Sequence, residues 1–411
     1  MEVTGILLIT IVMAGAAVAY SIYHSKKIND IFHRTARKLN MDFSQEGRFK
    51  PVVSGHIGNI GVSIFRKQFS AGKTSVDTVG YKFSLRGPYA GAIDLKAEGI
   101  LSTLEKKLGS TDIEVGSPWF DKVALVHGNN VHRVKALLHP RVRAIIVEMM
   151  KKSYSRKFTI SYGVLETYQI IKNSLSVDTI SHELKKLIRC AELLSREGSE
   201  ADLLRDNYSA ESDENVKITY IESLGAVSAG LSAEDPVIKD ALSSRSNRMI
   251  FAAAKCIMEE GYDYIKNIFP GTDSSLQADI LEWLCFRKAG EFVGFFDRYR
   301  DNLDTEVCRR LAEFYGIMNA ENASGWLESE LKSENKHPAE YRMELIRALG
   351  SCGSYGSIAV LNSVKSSKFS RAVDQAIAEI QERIGAGDSG WLSMQKTEGD
   401  EGALSIEKKD D

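Results

Sequence analysis

Val52-Val53-Ser54-Gly55-His56 and Val62-Ser63-Ile64-Phe65, on either side of Gly58-Asn59-Ile60-Gly61, decide how the first half of this chain is read. Two β-rich runs joined by a short Gly-Asn turn predict an antiparallel hairpin. The pattern continues outward. Val79-Gly80-Tyr81-Lys82-Phe83-Ser84-Leu85 sets its large apolar residues at every second position, and Ala92-Ile93-Asp94-Leu95-Lys96 alternates from Ile93 on. Ile100 to Leu108 and a stretch ending at Lys151 have helical character, and Lys157 to Ile171 returns to strand around Gly163. Residues 49–175 therefore read as one α+β domain.

Upstream, Val3 to Tyr23 contains no formal charge and is followed by His24-Ser25-Lys26-Lys27. At about 1.5 Å per helical residue such a run is long enough for a hydrocarbon core of about 30 Å. It predicts a transmembrane helix over 1–25. Ala17-Val18-Ala19 has the small-residue look of a signal-peptide cleavage site, but Glu2 and the lack of a basic residue before the apolar core favour an anchor. Lys26, Lys27, Arg34, Arg37 and Lys38 all follow the run, so the basic-side rule predicts N-out topology with the body in the cytoplasm, at an inner or plasma membrane. Ile28, Ile31, Phe32, Thr35, Ala36 and Leu39 recur at helical spacing, which predicts a basic juxtamembrane helix over 26–48, packed on the next domain or lying at the lipid surface.

Charge divides the chain. His24 to Lys157 carries 24 Lys and Arg against 11 Asp and Glu, while Phe158 to Asp411 carries 29 against 43. A basic first half suits an anionic membrane surface, with Lys26, Lys27, Arg34, Arg37 and Lys38 as the contact residues. No basic run interleaved with aromatics and no zinc-finger spacing is read from the sequence, so no nucleic-acid partner is expected.

From about Val177 the pattern is helical and repetitive. Glu222-Ser223-Leu224-Gly225, Ala253-Ala254-Lys255-Cys256, Glu282-Trp283-Leu284-Cys285 and Ala348-Leu349-Gly350-Ser351 recur at about 30 residues or slightly more, with one copy unmatched. The pattern is degenerate from Phe286 to Asn319. Ala348-Leu349-Gly350-Ser351-Cys352-Gly353, then Ile358-Ala359-Val360-Leu361, then Ala372 to Ile380, resembles a HEAT repeat, and Asn215-Val216-Lys217 through Leu224-Gly225 is similar to the first helix of another. The chain thus resembles a bacterial single-span membrane-anchored protein with C-terminal HEAT-like repeats. The resemblance implies an all-α, HEAT-like solenoid over 176–387 with an extended groove for a protein partner. Ala376 and Ile380, four apart, are expected on the buried stripe of the last helix.

Residues 388–411 read as a disordered tail. Gly390-Trp391-Leu392-Ser393-Met394-Gln395 returns as Gly402-Ala403-Leu404-Ser405-Ile406-Glu407. Trp391, Leu392, Met394, Leu404 and Ile406 are candidate partner-binding residues; a docking motif, self-docking and chance all remain open.

Catalytic signatures are weak. Ala71-Gly72-Lys73-Thr74-Ser75 has the end of a phosphate loop, but Lys67 occupies the position of its first glycine and strands flank it. His127, His132 and His139 lack zinc spacing. Asp112, Glu114 and Asp121 read as an N-cap at Asp121 and two strand positions. Cys190, Cys256, Cys285, Cys308 and Cys352 are odd in number and unclustered, in the manner of buried thiols. No cofactor, metal or catalytic residue is assigned. The expected function is a membrane-tethered scaffold or adaptor binding a protein; an enzyme or ligand sensor with its site in the α+β domain is the alternative.

Overall fold

The computed structural model describes residues 2–47, 50–71, 74–86, 92–97, 112–151, 157–171, 175–333 and 337–385, with 2–11, 17, 70, 71, 74, 75, 92 and 97 by backbone alone. The chain divides into two compact units, Met1–Gly261 and Tyr262–Asp411.

Unit one is built on an antiparallel sheet of eight strands in the order β1-β2-β3-β4-β8-β7-β5-β6. These are β1 (Asp42–Gln45), β2 (Pro51–Ile57), β3 (Ile60–Ala71), β4 (Thr74–Ser84), β5 (Ala92–Ala97), β6 (Ala124–Gly128), β7 (Lys157–Ser161) and β8 (Val164–Ile170). The alternation read from the sequence becomes one buried face, with Val53, Ile64, Tyr81, Phe83, Leu165, Phe158, Ile160 and Leu95 at or near zero exposure. Tight turns set the register. Gly58 and Gly163 take positive φ (57° and 75°), as does Tyr162 before Gly163, which suits a two-residue turn between β7 and β8.

Helix α1 (Glu2–Leu39) packs on β1 and β2 through Ile28, Ile31, Phe32 and Ala36, the stripe read from the sequence. Then come α2 (Pro118–Asp121), α3 (Val131–Leu137), α4 (Pro140–Lys151) and α5 (Val177–Leu194). α5 packs on β3, β4, α1 and α4, so it completes the sheet's core instead of opening a helical stack. α6 (Glu200–Ala210), α7 (Glu214–Val227), α8 (Pro236–Leu242) and α9 (Asn247–Cys256) follow, with α3 packed on both α6 and α7.

Unit two holds α10 (Tyr262–Ile268), α11 (Ser274–Arg287), α12 (Val293–Phe296), α13 (Thr305–Ile317), α14 (Ser324–Lys332), α15 (Ala339–Cys352), α16 (Tyr355–Ser363) and α17 (Ser370–Gly385). α11, α13, α15 and α17 form a row, each packed on the next, with α14 and α16 behind it. Close approach is made possible by small residues. A Cβ on Gly316 would lie 3.0 Å from the Ala348 Cα, and one on Gly350 would lie 3.0 Å from the Ala376 Cα. Ala376 and Ile380 are buried.

Two expectations are corrected. The first is the anchor. Among the described residues no helix is long and apolar enough to cross a membrane. The transmembrane helix, the single-pass N-out topology, the cytoplasm-facing body and the membrane localisation are therefore set aside. Val12, Met13, Val18, Tyr20 and Tyr23 stand exposed on α1. The second correction is the all-α, HEAT-like solenoid. Where a helix-pair repeat needs a full second helix, α12 has four residues and is flanked by 3₁₀ turns at Gly290–Phe292 and Arg300–Asn302. An aromatic cluster holds this segment instead, with Phe296 against Phe269 (4.9 Å), Phe295 (5.2 Å) and Phe314 (5.4 Å).

Unit one is closed by a buried charge. Arg143 on α4 is fully buried, its guanidinium bonded to Glu211, which lies just past α6. Breaking such a pair from one side strands a charge, at a cost of about 3–5 kcal/mol, whereas apolar replacement of both partners costs far less. Glu211→Ala should therefore lower the unfolding free energy by that amount, and Arg143→Met with Glu211→Leu by clearly less, in urea unfolding of the full chain.

Candidate functional site

The outward face of the sheet in unit one is polar in one row and aromatic in the next. Ser63, Lys82, Glu166, Thr159 and Asp94 lie in register across β3, β4, β8, β7 and β5. In the neighbouring row Phe65, Gly80 and Tyr168 are in register, and the Phe65 ring lies over Gly80, where a Cβ would meet it at 2.5 Å. Tyr168 stands edge-on to Phe65 and to Phe69 (4.9 Å), and the Lys67 ammonium sits 4.8 Å from its ring centre. Lys67 donates to the Tyr168 hydroxyl (2.8 Å), which itself donates to Glu166. Burial and Glu166 push that hydroxyl's pKa upward, so it stays a phenol at neutral pH.

Where α1 meets this sheet there is an open cleft of 970 Å³. Ser21 and Ser25 of α1 line it, with Lys50, Lys67, Lys82 and Arg66 set against Glu46 and Glu166. The Arg66 side chain is itself tied down, donating to Asp77 (2.5 and 3.2 Å) and to Ser25 (3.2 Å).

Unit two presents two adjoining hollows of 620 and 550 Å³ on the α13–α15–α17 row. They share Met343, Arg347 and Lys368; Arg309, Glu340, Arg371 and Glu379 extend them. Their charges are balanced by local pairs, with Arg347 on Glu344 (3.3 Å) and Arg309 on Glu306 (2.6 Å).

The basic residues singled out in the sequence all lie exposed on α1. Arg34 is paired with Asp30 (2.9 Å) and Lys38 with Asp178 (2.6 Å), so part of that charge is spent within the protein. Trp391, Leu392, Met394, Leu404 and Ile406 lie outside the described residues, as do Gly72 and Lys73. The three histidines are scattered over β6, α3 and the turn before α4. Asp121 is not an N-cap: its carboxylate accepts from the Val115 and Ser117 N–H groups (3.1 and 2.8 Å) and pins the loop before α2. Asp112 accepts from Val126 N–H on β6. The cleft residues were missed because the reading looked for contiguous basic motifs. Phe65-Arg66-Lys67-Gln68-Phe69 carries the signal, since alternation puts Phe65, Lys67 and Phe69 on one face.

No family model, no curated protein and no solved structure matches this chain. The HEAT-like resemblance and the bacterial membrane-anchored family it implied are therefore corrected: no HEAT repeat is identified.

Titration follows burial. The thiols of Cys190, Cys285 and Cys352 are pushed up to about 12, and those of Cys256 and Cys308 to about 11, by desolvation first. His139 is driven down to about 4 by desolvation, then by Arg196 and Arg141. The folded state thus binds its proton less readily than the unfolded chain, whose histidine titrates near 6.5. The stability that depends on neutral His139 is complete above about pH 6.5 and is lost as pH falls towards 4. Melting temperature should decline over that window less steeply for His139→Asn than for the natural chain; parallel declines would exclude His139 as the titrating group.

Proposed function

We propose that this chain is an adaptor that binds a protein partner along the α13–α15–α17 row of unit two. The observation that carries this reading is the groove. Its two hollows share Met343, Arg347 and Lys368, and so offer a continuous strip across three helices with half-buried Met343 as an apolar anchor point amid mixed charge. That chemistry suits a peptide segment carrying both signs of charge and a single apolar side chain over Met343.

The ion pairs in the groove are partly exposed and contribute only about 0–1 kcal/mol each to folding. Charge reversal there perturbs recognition without unfolding the unit. A photo-cross-linking residue placed at Met343 of the full chain should give a discrete adduct in cells. The adduct should vanish when Arg347→Glu and Lys368→Glu are added. The same probe at Asn362, exposed on α16, should give none. Equal adducts from both positions, or adducts indifferent to the charge reversal, would contradict the reading.

A further inference from the structure

The cleft of unit one borders an unfinished edge of the sheet. β2 and β3 are joined through Gly58-Asn59, so Ile57 and Ile60 face each other across a two-residue turn and exchange both backbone bonds. Bonded pairs recur at every second residue: Gly55 with Val62, then Val53 with Ile64. The next pair in the series sets Arg66 against Pro51, where β2 begins. Proline has no N–H to give, and the ladder ends there. β3 does not end. It stays paired with β4 on its other side as far as Ala71 opposite Thr74. The carbonyl of Arg66 and the N–H and C=O groups of Gln68 and Ser70 therefore point to a side on which no described strand lies.

Beside that edge is the 970 Å³ cleft, walled by Ser21 and Ser25 of α1 and by Lys50. We propose that an extended, acidic segment of a partner protein adds to the sheet here, alongside Arg66–Ser70. Main-chain bonds to β3 supply the attachment, and alternate side chains of the added strand face α1 on one side and the Phe69–Tyr168 rings on the other. Arg66 is neutralised by Asp77, and among the other charges of the cleft Lys50, Lys67 and Lys82 outnumber Glu46 and Glu166, so an acidic segment is favoured over a basic one. The same lysines oppose a second copy of this chain as the occupant, because edge-to-edge pairing would bring like charges together. This site is separate from the groove of unit two and stands without it.

The test uses the full chain and a displayed random library of peptides about seven residues long. Enriched sequences should place Asp or Glu at alternate positions with apolar residues between them. A synthetic peptide of that sequence should lose at least about tenfold in affinity when its alternate amides are N-methylated, and similarly on Gln68→Pro, which removes an edge donor not used by β4. Lys82→Glu should weaken it further. The N-methylated peptide leaves the protein unaltered, so it decides the matter if Gln68→Pro perturbs folding. No enrichment, enrichment of basic sequences, or indifference to N-methylation would overturn the proposal. Preferential binding of a single-stranded oligonucleotide that Lys82→Glu abolishes would overturn it in favour of nucleic acid. A dimer in sedimentation that Gln68→Pro dissociates would overturn it in favour of a second copy.

Discussion

The charge on Arg143 has nowhere to go. It is buried completely, between the sheet-bearing part of unit one and the helices that follow, and a bare charge there would cost several kcal/mol. Glu211 answers it, and the chain is arranged to hold Glu211 in place. Its second oxygen accepts from the Ser212 and Asp213 N–H groups (2.9 and 3.0 Å). Asn207 beside it donates to the carbonyls of Lys135 and Ala136 (3.0 and 2.8 Å) and accepts from Arg196 (2.9 Å). Trp119 lies against the guanidinium at 5.6 Å. These contacts join α2, α3, α4, α6 and the start of α7, so helices lying far apart in sequence from the sheet become part of its unit. The inner face of β1–β4 is covered by α1 and α5, and the opposite face, with Lys82 on it, is left outward.

Unit two rests on a different constraint. Its row of helices depends on close approach at Gly316 and Gly350, and its least regular segment depends on stacked rings around Phe296.

The sheet was legible because alternation leaves little freedom: shifting Tyr81 and Phe83 by one residue would turn both into water. The stripe on α1 and the burial of Ala376 and Ile380 were legible for the equivalent helical reason. The recurring small residues were read as a repeat family, whereas what recurs physically is the space needed where two helices meet, at Gly225 against Cys256 within unit one and at Gly350 against Ala376 within unit two. Such a requirement does not specify a second helix in each pair, and α12 shows how short that element becomes. The apolar run at the start was read by length and charge alone. The edge at Gln68 was legible in principle, since Pro51 ends one strand while the next continues, but seeing it requires the register of the hairpin. The Arg143–Glu211 pair was not legible at all, because its partners are 68 residues apart and neither sits in a distinctive motif.

Hydrogen exchange on the full chain tests the central claim, that a buried charge makes the sheet and helices α6–α7 one cooperative unit. Amides of β4 around Tyr81 and Phe83 and those of α7 around Tyr220 and Ile221 should open with the same free energy, and should remain matched as denaturant is added. Exchange of the α7 amides at a much lower free energy, with the β4 amides still protected, would show that the helices detach alone and would contradict the account.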